Sequence, residues 1–409
     1  MDIFCPRPIS NGMKKLSLDS EIFTRAVEEI IKKDELQKLL ESGRKLRIKY
    51  GVDVTATTLH LGHAVNLWKM RELQEYGHKV VFLIGDFTTK IGDPTGRLET
   101  RRKISTPDIN KWAKGFIKQV GKILRTDKKV FEVRRNYEWY GKMSMEGFLD
   151  LTFLFTHARL IERDMFQKRL KENKEIVLPE LIYPALQGYD SVMLKSDLTI
   201  IGSDQLFNEG MGRFLQEKFR QPPQVLITTS ITPGLDGKGK MSKSLGNYIG
   251  LEDSAEDKFG KIMSIPDSLI ISYLTVHTDV SLEEIREKEK KLKEGGNPME
   301  VKLFLATALT KRYHGEKVAQ QEKEKFLKIF SQKKVPEKTP IIKITYGLND
   351  PIEVLLKTGF VSSKSAARRL IGQGAVDING LTITSHTERI EIKKGAVIKV
   401  GKRNFVRVE

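Results

Sequence analysis

The sequence predicts an α/β fold built on a parallel sheet, and three neighbouring segments carry this prediction. Residues 45–52 alternate apolar and polar side chains as a strand does, and residues 64–76 repeat apolar side chains at helical spacing before Gly77. Residues 79–85 form a continuous apolar run with the length of a buried strand. Because strand, helix and strand follow each other closely, the two strands are expected to be parallel.

The chain around these segments is expected to form one large domain over residues 20–250. Before it, residues 1–19 are interpreted as a loose leader without a function. The apolar spacing of residues 20–40 predicts a helix pair or one broken helix. Residues from about 105 to 180 are mostly helical in pattern, so they are interpreted as an insertion between two halves of the sheet.

The second half of the chain returns to strands and then changes character. Apolar runs at 197–202 and 224–229 predict two further strands of the sheet. Helix-rich sequence at 251–330 predicts an all-helical domain, and the polar residues and prolines at 331–349 predict a linker. The last residues, 350–409, are expected to form a small α+β domain.

Composition excludes several classes of protein. The 409 residues carry a formal net charge of +18, which favours polyanionic partners such as nucleic acids and nucleotides. Cys5 is the only cysteine, so neither an intrachain disulfide nor a thiolate metal cage can form. No uncharged apolar run reaches the roughly 18 residues of a membrane-spanning helix. These observations predict a globular protein of the cytoplasm.

The last domain combines a basic helix with predicted hairpins. Residues 351–409 contain 11 Lys and Arg residues and five acidic ones. Ser362 or Ser363 is expected to cap a helix whose exposed face is basic, with Lys364, Arg368 and Arg369. The Asn-Gly pair at 379–380 predicts one hairpin, and residues 397–408 predict another. The basic helix is a candidate for binding a nucleic-acid phosphate backbone.

His60-Leu61-Gly62-His63 is the first candidate site. It lies between a predicted strand and its helix, where an α/β fold presents backbone N–H groups and a positive helix end to phosphate. Two imidazoles three residues apart share a helix face and could donate to phosphate oxygens as charge develops. A metal site would need a third or fourth ligand, which no nearby Cys or His supplies. An ordinary core or surface pair is the alternative for this motif alone.

Residues 240–244, with the sequence KMSKS, form the second candidate site. Mobile lysines can close over a triphosphate and stabilise the departing pyrophosphate more strongly in the transition state than in the ground state. The two motifs, in this order and about 180 residues apart across an α/β sheet, resemble the HIGH and KMSKS signatures of class I aminoacyl-tRNA synthetases. The resemblance implies a Rossmann-like catalytic domain and catalytic roles for His60, His63, Lys240 and Lys243.

Three further motifs make the sequence similar to the bacterial tyrosyl-tRNA synthetases. They are Asp93-Pro94-Thr95-Gly96, then Tyr183-x-x-x-Gln187-x-x-Asp190, and finally Gly202-Ser203-Asp204-Gln205-x-x-Asn208. The similarity runs from about residue 20 to the end of the chain. A buried carboxylate such as Asp190 is consistent with tyrosine, because phenylalanine would leave it unpaired.

The resemblance implies a role for each residue of these motifs. Asp93, Tyr183 and Gln187 would hold the substrate ammonium group, and Asp190 would accept from the phenol hydroxyl. The tyrosine pocket would also include Thr88 and Gln205, and ATP would be bound by Asp53, Gly62, Gly202, Asp204 and Lys243. The last domain is similar to the RNA-binding domain named after small-ribosomal-subunit protein S-four, and the helical domain at 251–330 would contact the tRNA together with it.

The implied reaction is the activation of L-tyrosine with ATP and its transfer to the 3′-terminal adenosine of tRNA(Tyr). Mg²⁺ would arrive with ATP as substrate, and no protein-bound metal or prosthetic group is expected. The family also implies a homodimer formed through the helical insertion, and no membrane partner.

Three positions depart from the family pattern. Lys49 stands where one branch of the family has a tyrosine that shares the phenol contact; the branch with a KMSKS loop typically has lysine, and no role is assigned to it. Val54 replaces the usual proline after Asp53, and Ile201 replaces the usual glycine before Gly202. None of these departures removes a proposed catalytic group.

Three other functions remain open from the sequence alone. A tryptophan-activating synthetase shares the fold and both signatures, but Asp190 and the last domain favour tyrosine. A small-molecule nucleotidyltransferase of the same superfamily would not need an RNA-binding domain. A non-catalytic RNA-binding relative would tolerate loss of His60, His63 and the loop lysines, and all of these residues are present.

Overall fold

The computed structural model describes residues 16–55, 57–94, 104–243, 245–331, 339–379, 381–401 and 404–409. It divides into two compact units, Met1–Arg312 and Tyr313–Glu409. The boundary falls near the end of the helix Pro298–His314, and so within residues 251–330, which the sequence predicts as one all-helical domain. The predicted leader up to residue 15, the second half of the Asp93 motif, Ser244, Gly380 and residues 332–338 of the predicted linker lie outside the described residues.

The first unit alternates strands and helices. Its strands are β1 Val27–Ile31, β2 Arg47–Val52, β3 Lys79–Ile84, β4 Phe131–Arg135, β5 Leu198–Gly202 and β6 Val225–Thr229. Its helices are α1 Glu21–Thr24, α2 Lys33–Glu41, α3 Leu61–Glu75, α4 Thr106–Val120, α5 Tyr137–Tyr140, α6 Met145–Thr152, α7 His157–Ile161, α8 Asp164–Lys171, α9 Leu178–Leu194, α10 Leu206–Lys218, α11 Ala255–Met263, α12 Ile270–His277, α13 Leu282–Lys293 and α14 Pro298–His314.

The six strands form one sheet in the order β1-β6-β5-β2-β3-β4. Neighbours from β6 to β4 are parallel, whereas β1 runs antiparallel to β6. Strands β3 and β6 are buried almost throughout, which explains their continuous apolar sequences. The predicted α/β class is confirmed, and the predicted parallel sheet is corrected to a mixed one.

The helix pair predicted over residues 20–40 is wrong in its middle part, which forms β1. Ala26 and Lys32 have φ angles of 51° and 68°, and this left-handed conformation interrupts a helix on both sides of the strand. The strand contains Val27, Ile30 and Ile31, which are β-branched and suit a sheet. Pairing with the buried strand β6 therefore outweighs the helical spacing of the apolar residues.

The segment predicted as a helical insertion at 105–180 contains a strand of the sheet. Strand β4 pairs with β3 in parallel register, from Phe131 opposite Val80 to Arg135 opposite Ile84. Helix α4 is the crossover between these strands, so the helices that interrupt the strand alternation are α5 to α8. The strand escaped prediction because its sequence, FEVRR, is short and charged.

Helices α9 and α10 pack unusually closely, and glycines allow the contact. A Cβ atom on Gly188 would lie 2.8 Å from the backbone carbon of Met211, and one on Gly212 would lie 2.7 Å from Ser191 Oγ. These two helices carry several polar residues of the candidate site, so their separation determines its width.

The second unit begins with a helix and continues as a small α+β domain. Its helices are α15 Glu316–Ser331, α16 Pro351–Lys357 and α17 Lys364–Gly372, and its strands are β7 Ile341–Ile342, β8 Gly347–Asn349, β9 Val376–Ile378, β10 Leu381–Ile383, β11 Ile390–Ile392, β12 Val397–Val400 and β13 Asn404–Val408. One sheet has the order β10-β9-β12-β13-β7, and a second pairs β11 with β8.

The core of this α+β domain lies between its helices and its sheets. Ile352 and Leu355 of α16 and Ala367 and Ile371 of α17 are buried against strand residues such as Ile398. Strands β9 and β10 pair as an antiparallel hairpin, and so do β12 and β13, as the sequence predicts. No helix among the described residues of either unit is long and apolar enough to cross a membrane.

Candidate active site

The carboxyl ends of the parallel strands border a cavity of about 460 Å³. The order of strand addition reverses between β2 and β5, and ligands of open α/β sheets bind at such a switch point. Asp53 directly follows β2, Gly85 follows β3, and Gly202 ends β5. The fold thereby brings together polar residues that are distant in the sequence.

The cavity gathers all the residues that the sequence analysis assigned to catalysis, ATP or tyrosine. They are Asp53, His60, Gly62, His63, Thr88, Asp93, Tyr183, Gln187, Asp190, Gly202, Asp204, Gln205, Lys240 and Lys243. The residues assigned to tRNA lie elsewhere, exposed on α17 of the second unit: Lys364, Arg368 and Arg369. Within the described ranges, no group of three or more His, Cys, Asp or Glu residues is arranged to hold a metal ion.

The two histidines lie at the amino end of α3. His60 is the N-cap, and its Nδ1 accepts from the Gly62 backbone N–H at 3.2 Å. The Nδ1 of His63 accepts from the His60 backbone N–H, also at 3.2 Å. Since both Nδ1 atoms act as acceptors, each neutral ring carries its proton on Nε2. Each imidazole is thus a hydrogen-bond donor through Nε2.

Burial keeps both imidazoles neutral at physiological pH. It holds the pKa of His60 far below the usual value, and electrostatic repulsion between a protonated His60 and its neighbours His63 and Lys243 acts in the same direction. Burial also lowers the pKa of His63 to about 3, reinforced by Lys243. The two ring centroids are only 4.0 Å apart, and a Cβ atom on Gly62 would lie 3.0 Å from the His60 ring. Glycine therefore makes room for the close pair.

The loop after β6 brings two lysines to the same cavity. Lys240 Nζ lies 3.2 Å from Asp204 Oδ2, so an ion pair joins the loop to the end of β5. Burial lowers the pKa of Lys243 to about 8, and its ammonium lies 5.5 Å from the centroid of the Phe116 ring. The cavity thus combines neutral hydrogen-bond donors with the positive charge of two lysines.

Asp53 links β2 to β3 and α9. Its Oδ1 accepts from Thr88 Oγ1 at 2.8 Å, and its Oδ2 accepts from the Tyr183 hydroxyl at 3.0 Å. Gly85 is required here, because a Cβ atom would collide with both Asp53 and Thr88. Since the Tyr183 hydroxyl donates its proton to Asp53, its oxygen remains an acceptor for a ligand in the cavity.

Asp190 is a buried carboxylate in the cavity wall, with 4% of its surface exposed. Trp139 Nε1 donates to Oδ1 at 3.0 Å, and Asn136 Nδ2 lies 3.3 Å from Oδ2 as a second donor. Burial raises the pKa of Asp190 to about 7, although the positive charge of Lys49 and these donors oppose the rise. The carboxylate can accept a further hydrogen bond from a donor in the cavity.

A row of amides connects the remaining predicted tyrosine-pocket residues. Gln205 Nε2 donates to Asp93 Oδ2 at 2.7 Å, and Gln187 Nε2 lies 3.4 Å from Gln205 Oε1. Asn208 Nδ2 donates to Gln187 Oε1 at 2.9 Å. These contacts fix the directions of the acceptor oxygens on this side of the cavity.

The sequence analysis missed several residues of the site. Asn136 and Trp139, which bind Asp190, directly follow the strand β4 that was not predicted. Lys49 received no role and Glu209 was not considered, although the two form an ion pair of 2.8 Å inside the cavity lining. The available indication was a charged residue within an apolar pattern: Lys49 lies in β2, and Glu209 lies on the buried face of α10.

The sequence matches known proteins over most of its length. The family described as class I tRNA synthetases (W and Y) matches residues 41–331. A tyrosine–tRNA ligase of Thermotoga maritima is 44% identical over 389 residues, which cover 95% of this chain and 96% of that protein. A tyrosine–tRNA ligase of Aquifex aeolicus is 43% identical over 387 residues, with coverages of 95% and 97%.

Solved structures share the fold at lower identity. A C-terminally truncated mitochondrial tyrosyl-tRNA synthetase of Aspergillus nidulans superposes with a TM-score of 0.62 and 21% identity, covering 76% of this chain and 94% of that one. Tryptophanyl-tRNA synthetase of Plasmodium falciparum gives a TM-score of 0.54 and 18% identity, with coverages of 71% and 80%. At these identities the likeness shows the fold alone, and proteins named for either amino acid share it.

Proposed function

The chain belongs to the class I tRNA synthetases of the tryptophan and tyrosine family, and we infer that it is a tyrosine–tRNA ligase. The observation that carries this inference is an identity of 42–44% over nearly the full chain to tyrosine–tRNA ligases of several bacteria. The enzyme activates L-tyrosine with ATP and transfers the tyrosyl group to tRNA. The roles of its residues are proposals that the geometry of the cavity supports.

Asp190 selects tyrosine by accepting a hydrogen bond from the phenol hydroxyl. It is supported by Trp139 and Asn136, whose donors hold the carboxylate in place. An apolar ring in this position would leave a buried carboxylate without a ligand partner, which costs more than the loss of an exposed hydrogen bond. Binding of phenylalanine, which has such a ring, is therefore disfavoured relative to tyrosine.

The substrate ammonium group is held by acceptors on the opposite side of the pocket. Tyr183 offers its oxygen because its proton is committed to Asp53, and Asp93 and Gln187 offer carboxylate and amide oxygens. Asp53, Thr88 and Gln205 position these groups through the hydrogen bonds that join them. This arrangement leaves the tyrosine carboxylate free to react.

In the activation step, a tyrosine carboxylate oxygen attacks the α-phosphorus of ATP, and the bond from that phosphorus to pyrophosphate breaks. Mg²⁺ enters as part of the ATP substrate. His60 and His63 donate through Nε2 to the developing phosphate charge, and Lys240 and Lys243 neutralise the departing pyrophosphate. Once Asp204 binds the ATP ribose, the Lys240 ammonium exchanges that partner for phosphate. No protein nucleophile is needed.

In the transfer step, a terminal ribose hydroxyl of tRNA(Tyr) loses its proton and attacks the tyrosyl carbonyl carbon, and AMP leaves. We assign tRNA binding in part to the exposed basic face of α17, with Lys364, Arg368 and Arg369. This α+β domain is proposed to bind RNA in the manner of the domain named after small-ribosomal-subunit protein S-four.

We also propose that the enzyme is a cytoplasmic homodimer. Support for the dimer comes from large apolar side chains exposed on and just after α6, where Met145 is 73% and Phe153 is 82% exposed. A single cysteine, which cannot form an intrachain disulfide, and a nucleotide-dependent reaction suit the cytoplasm.

The direct test is ATP–pyrophosphate exchange with each of the twenty amino acids in the absence of tRNA. Exchange with tyrosine alone supports the proposal, whereas exchange with tryptophan alone moves the substrate within the same family. The tRNA assignment is tested by charging assays on a Lys364→Glu/Arg368→Glu variant. Its matched control is Lys393→Glu/Lys394→Glu, which changes the charge of the same domain equally at an exposed turn. Only the first variant should lose charging while exchange is retained.

A further inference from the structure

A buried ion pair lies in the wall of the cavity, between Lys49 of β2 and Glu209 of α10. Their Nζ and Oε2 atoms are 2.8 Å apart, and their side chains are 1% and 3% exposed. Removing two charges from water is costly, so a buried pair of this kind is weak evidence for stability. The contacts of each partner indicate what the pair does instead.

The ammonium group of Lys49 has no N–H left for a substrate. Its three protons are matched by three acceptors: Ser191 Oγ at 2.6 Å, the Gln187 carbonyl oxygen at 3.2 Å and Glu209 Oε2. Lys49 therefore acts on a ligand through its charge and not through a hydrogen bond. Unneutralised, this charge would repel a cationic group bound in the same cavity.

The two oxygens of Glu209 face different partners. Oε2 accepts from Lys49 and from Gln224 Nε2 at 2.8 Å, while Oε1 accepts from Gln187 Nε2 at 2.8 Å. An ionised carboxylate can only accept, so the side of the Gln187 amide that faces Glu209 must be the NH₂ group. The amide oxygen of Gln187 then points the other way.

Asn208 reinforces this orientation, since its Nδ2 donates to Gln187 Oε1 at 2.9 Å. A carbonyl oxygen has two lone pairs, so one remains for a cation in the cavity that Gln187 lines. Without the carboxylate, the amide could turn over and present NH₂ to a bound ammonium group. Glu209 thus determines whether Gln187 is an acceptor or a donor towards the ligand.

We propose that Glu209 is a positioning residue for the substrate ammonium group, because it locks the Gln187 amide with its oxygen towards the ligand and neutralises Lys49 beside it. This inference rests on the proposed function, namely that the cavity binds tyrosine. It adds a residue outside the motifs that identified the pocket, and it gives Lys49 a role through its partner.

The test compares three ligands that differ in their charged groups. L-Tyrosine has an ammonium and a carboxylate, tyramine has only the ammonium, and 3-(4-hydroxyphenyl)propanoic acid has only the carboxylate. Dissociation constants are measured by titration calorimetry for the wild type and Glu209→Gln. Loss of an oriented hydrogen bond to a charged group should weaken binding of tyrosine and tyramine about tenfold or more. The acid should bind no more weakly than to the wild type, because the unneutralised charge of Lys49 attracts a carboxylate as it repels an ammonium group.

The control is Glu35→Gln. The Glu35 carboxylate of α2 pairs with Arg213, which lies on α10 as Glu209 does, and this pair does not line the cavity. It should leave all three constants unchanged. Equal weakening of all three ligands by Glu209→Gln would show a merely structural role and overturn the inference. If the wild type binds neither tyrosine nor tyramine, the proposed function itself fails.

A second variant covers the case in which Glu209→Gln does not fold. Lys49→Met/Glu209→Met replaces the buried pair with apolar side chains of similar size, a change that buried ion pairs often tolerate. It frees the Gln187 amide but leaves no uncompensated charge. Tyrosine and tyramine should again be weakened selectively, by a smaller factor than in Glu209→Gln. Wild-type affinity for tyramine in the double variant would overturn the inference.

Discussion

Replacing Asp190 with asparagine changes one atom at the point where the phenol is expected to bind. In the structure Oδ1 faces the indole N–H of Trp139 at 3.0 Å, and Oδ2 faces the Asn136 amide at 3.3 Å. An asparagine must turn its NH₂ group towards one of these donors. Asn136 cannot turn over freely in response, because its oxygen accepts from the Phe87 backbone N–H at 2.9 Å.

The cost of this change can be worked from these contacts. A hydrogen bond to a charged group contributes about 1.5–3 kcal/mol and a neutral one about 0.5–1.5 kcal/mol, so the bond to the phenol weakens by about 1 kcal/mol. An asparagine NH₂ group that faces the N–H of Trp139 or Asn136 costs about 1–3 kcal/mol more. The side chain relieves part of this cost by moving away from the ligand. A total near 2 kcal/mol corresponds to a roughly 30-fold lower kcat/KM for tyrosine.

Phenylalanine provides the internal comparison, because it makes no hydrogen bond at Asp190. Its kcat/KM should stay constant or rise, since burying a neutral amide beneath the ring costs less than burying a carboxylate. The assay is ATP–pyrophosphate exchange with both amino acids. The matched control is Asp197→Asn. Asp197 lies immediately before β5 and away from the cavity, and its carboxylate binds Arg44 and the backbone N–H of Arg47. A parallel fall for both amino acids, or a change for tyrosine below about threefold, would refute the reasoning.

Three further outcomes follow from the same site. Lys243→Ala should slow exchange at saturating substrates about 100-fold with little change in the KM for tyrosine, because pyrophosphate charge develops only in the transition state; a raised KM at unchanged rate would contradict this. Gly188→Ala places a Cβ atom 2.8 Å from the Met211 backbone and should cost about 1–3 kcal/mol, seen by calorimetry as a lower Tm. Acidification from pH 8 to pH 6 protonates Asp190, whose pKa is about 7, so the KM for tyrosine should rise in the wild type and stay flat in Asp190→Asn.

The sequence predicted the buried strands of the sheet and missed its edges. Strands β3, β5 and β6 carry apolar runs, β2 has apolar residues at alternate positions, and most residues of all four strands are buried. Strands β1 and β4 lie at the two edges, where half-exposed residues weaken the pattern and pairing with a buried neighbour decides the conformation. Edge strands therefore depend on tertiary contacts that local spacing does not encode.

The same distinction applies to the candidate site. Residues such as His60 and Asp204 belong to motifs with fixed local spacing, and spacing is visible in a sequence. Lys49 and Glu209 come into contact only because β2 pairs with β5 in a given register and α10 follows β5. Asn136 and Trp139, which donate to Asp190, follow the edge strand β4, and because β4 was not predicted their role was not predicted either. Interactions that orient the motif residues are thus the part that needs a structure.

The cavity is lined by two kinds of group that can bind phosphate, namely neutral histidines and charged lysines. If both histidines and both loop lysines were charged, these four groups of the cavity would repel one another. Burial prevents this by keeping His60 and His63 neutral. Positive charge comes from the loop lysines, and Asp204 pairs with Lys240 until a nucleotide competes for both. The imidazoles can therefore donate to phosphate at any pH from 5 to 8 without changing charge. We therefore expect Asp190 to contribute an acid limb to the activation rate in this range, and that limb should disappear in Asp190→Asn while the histidines remain intact.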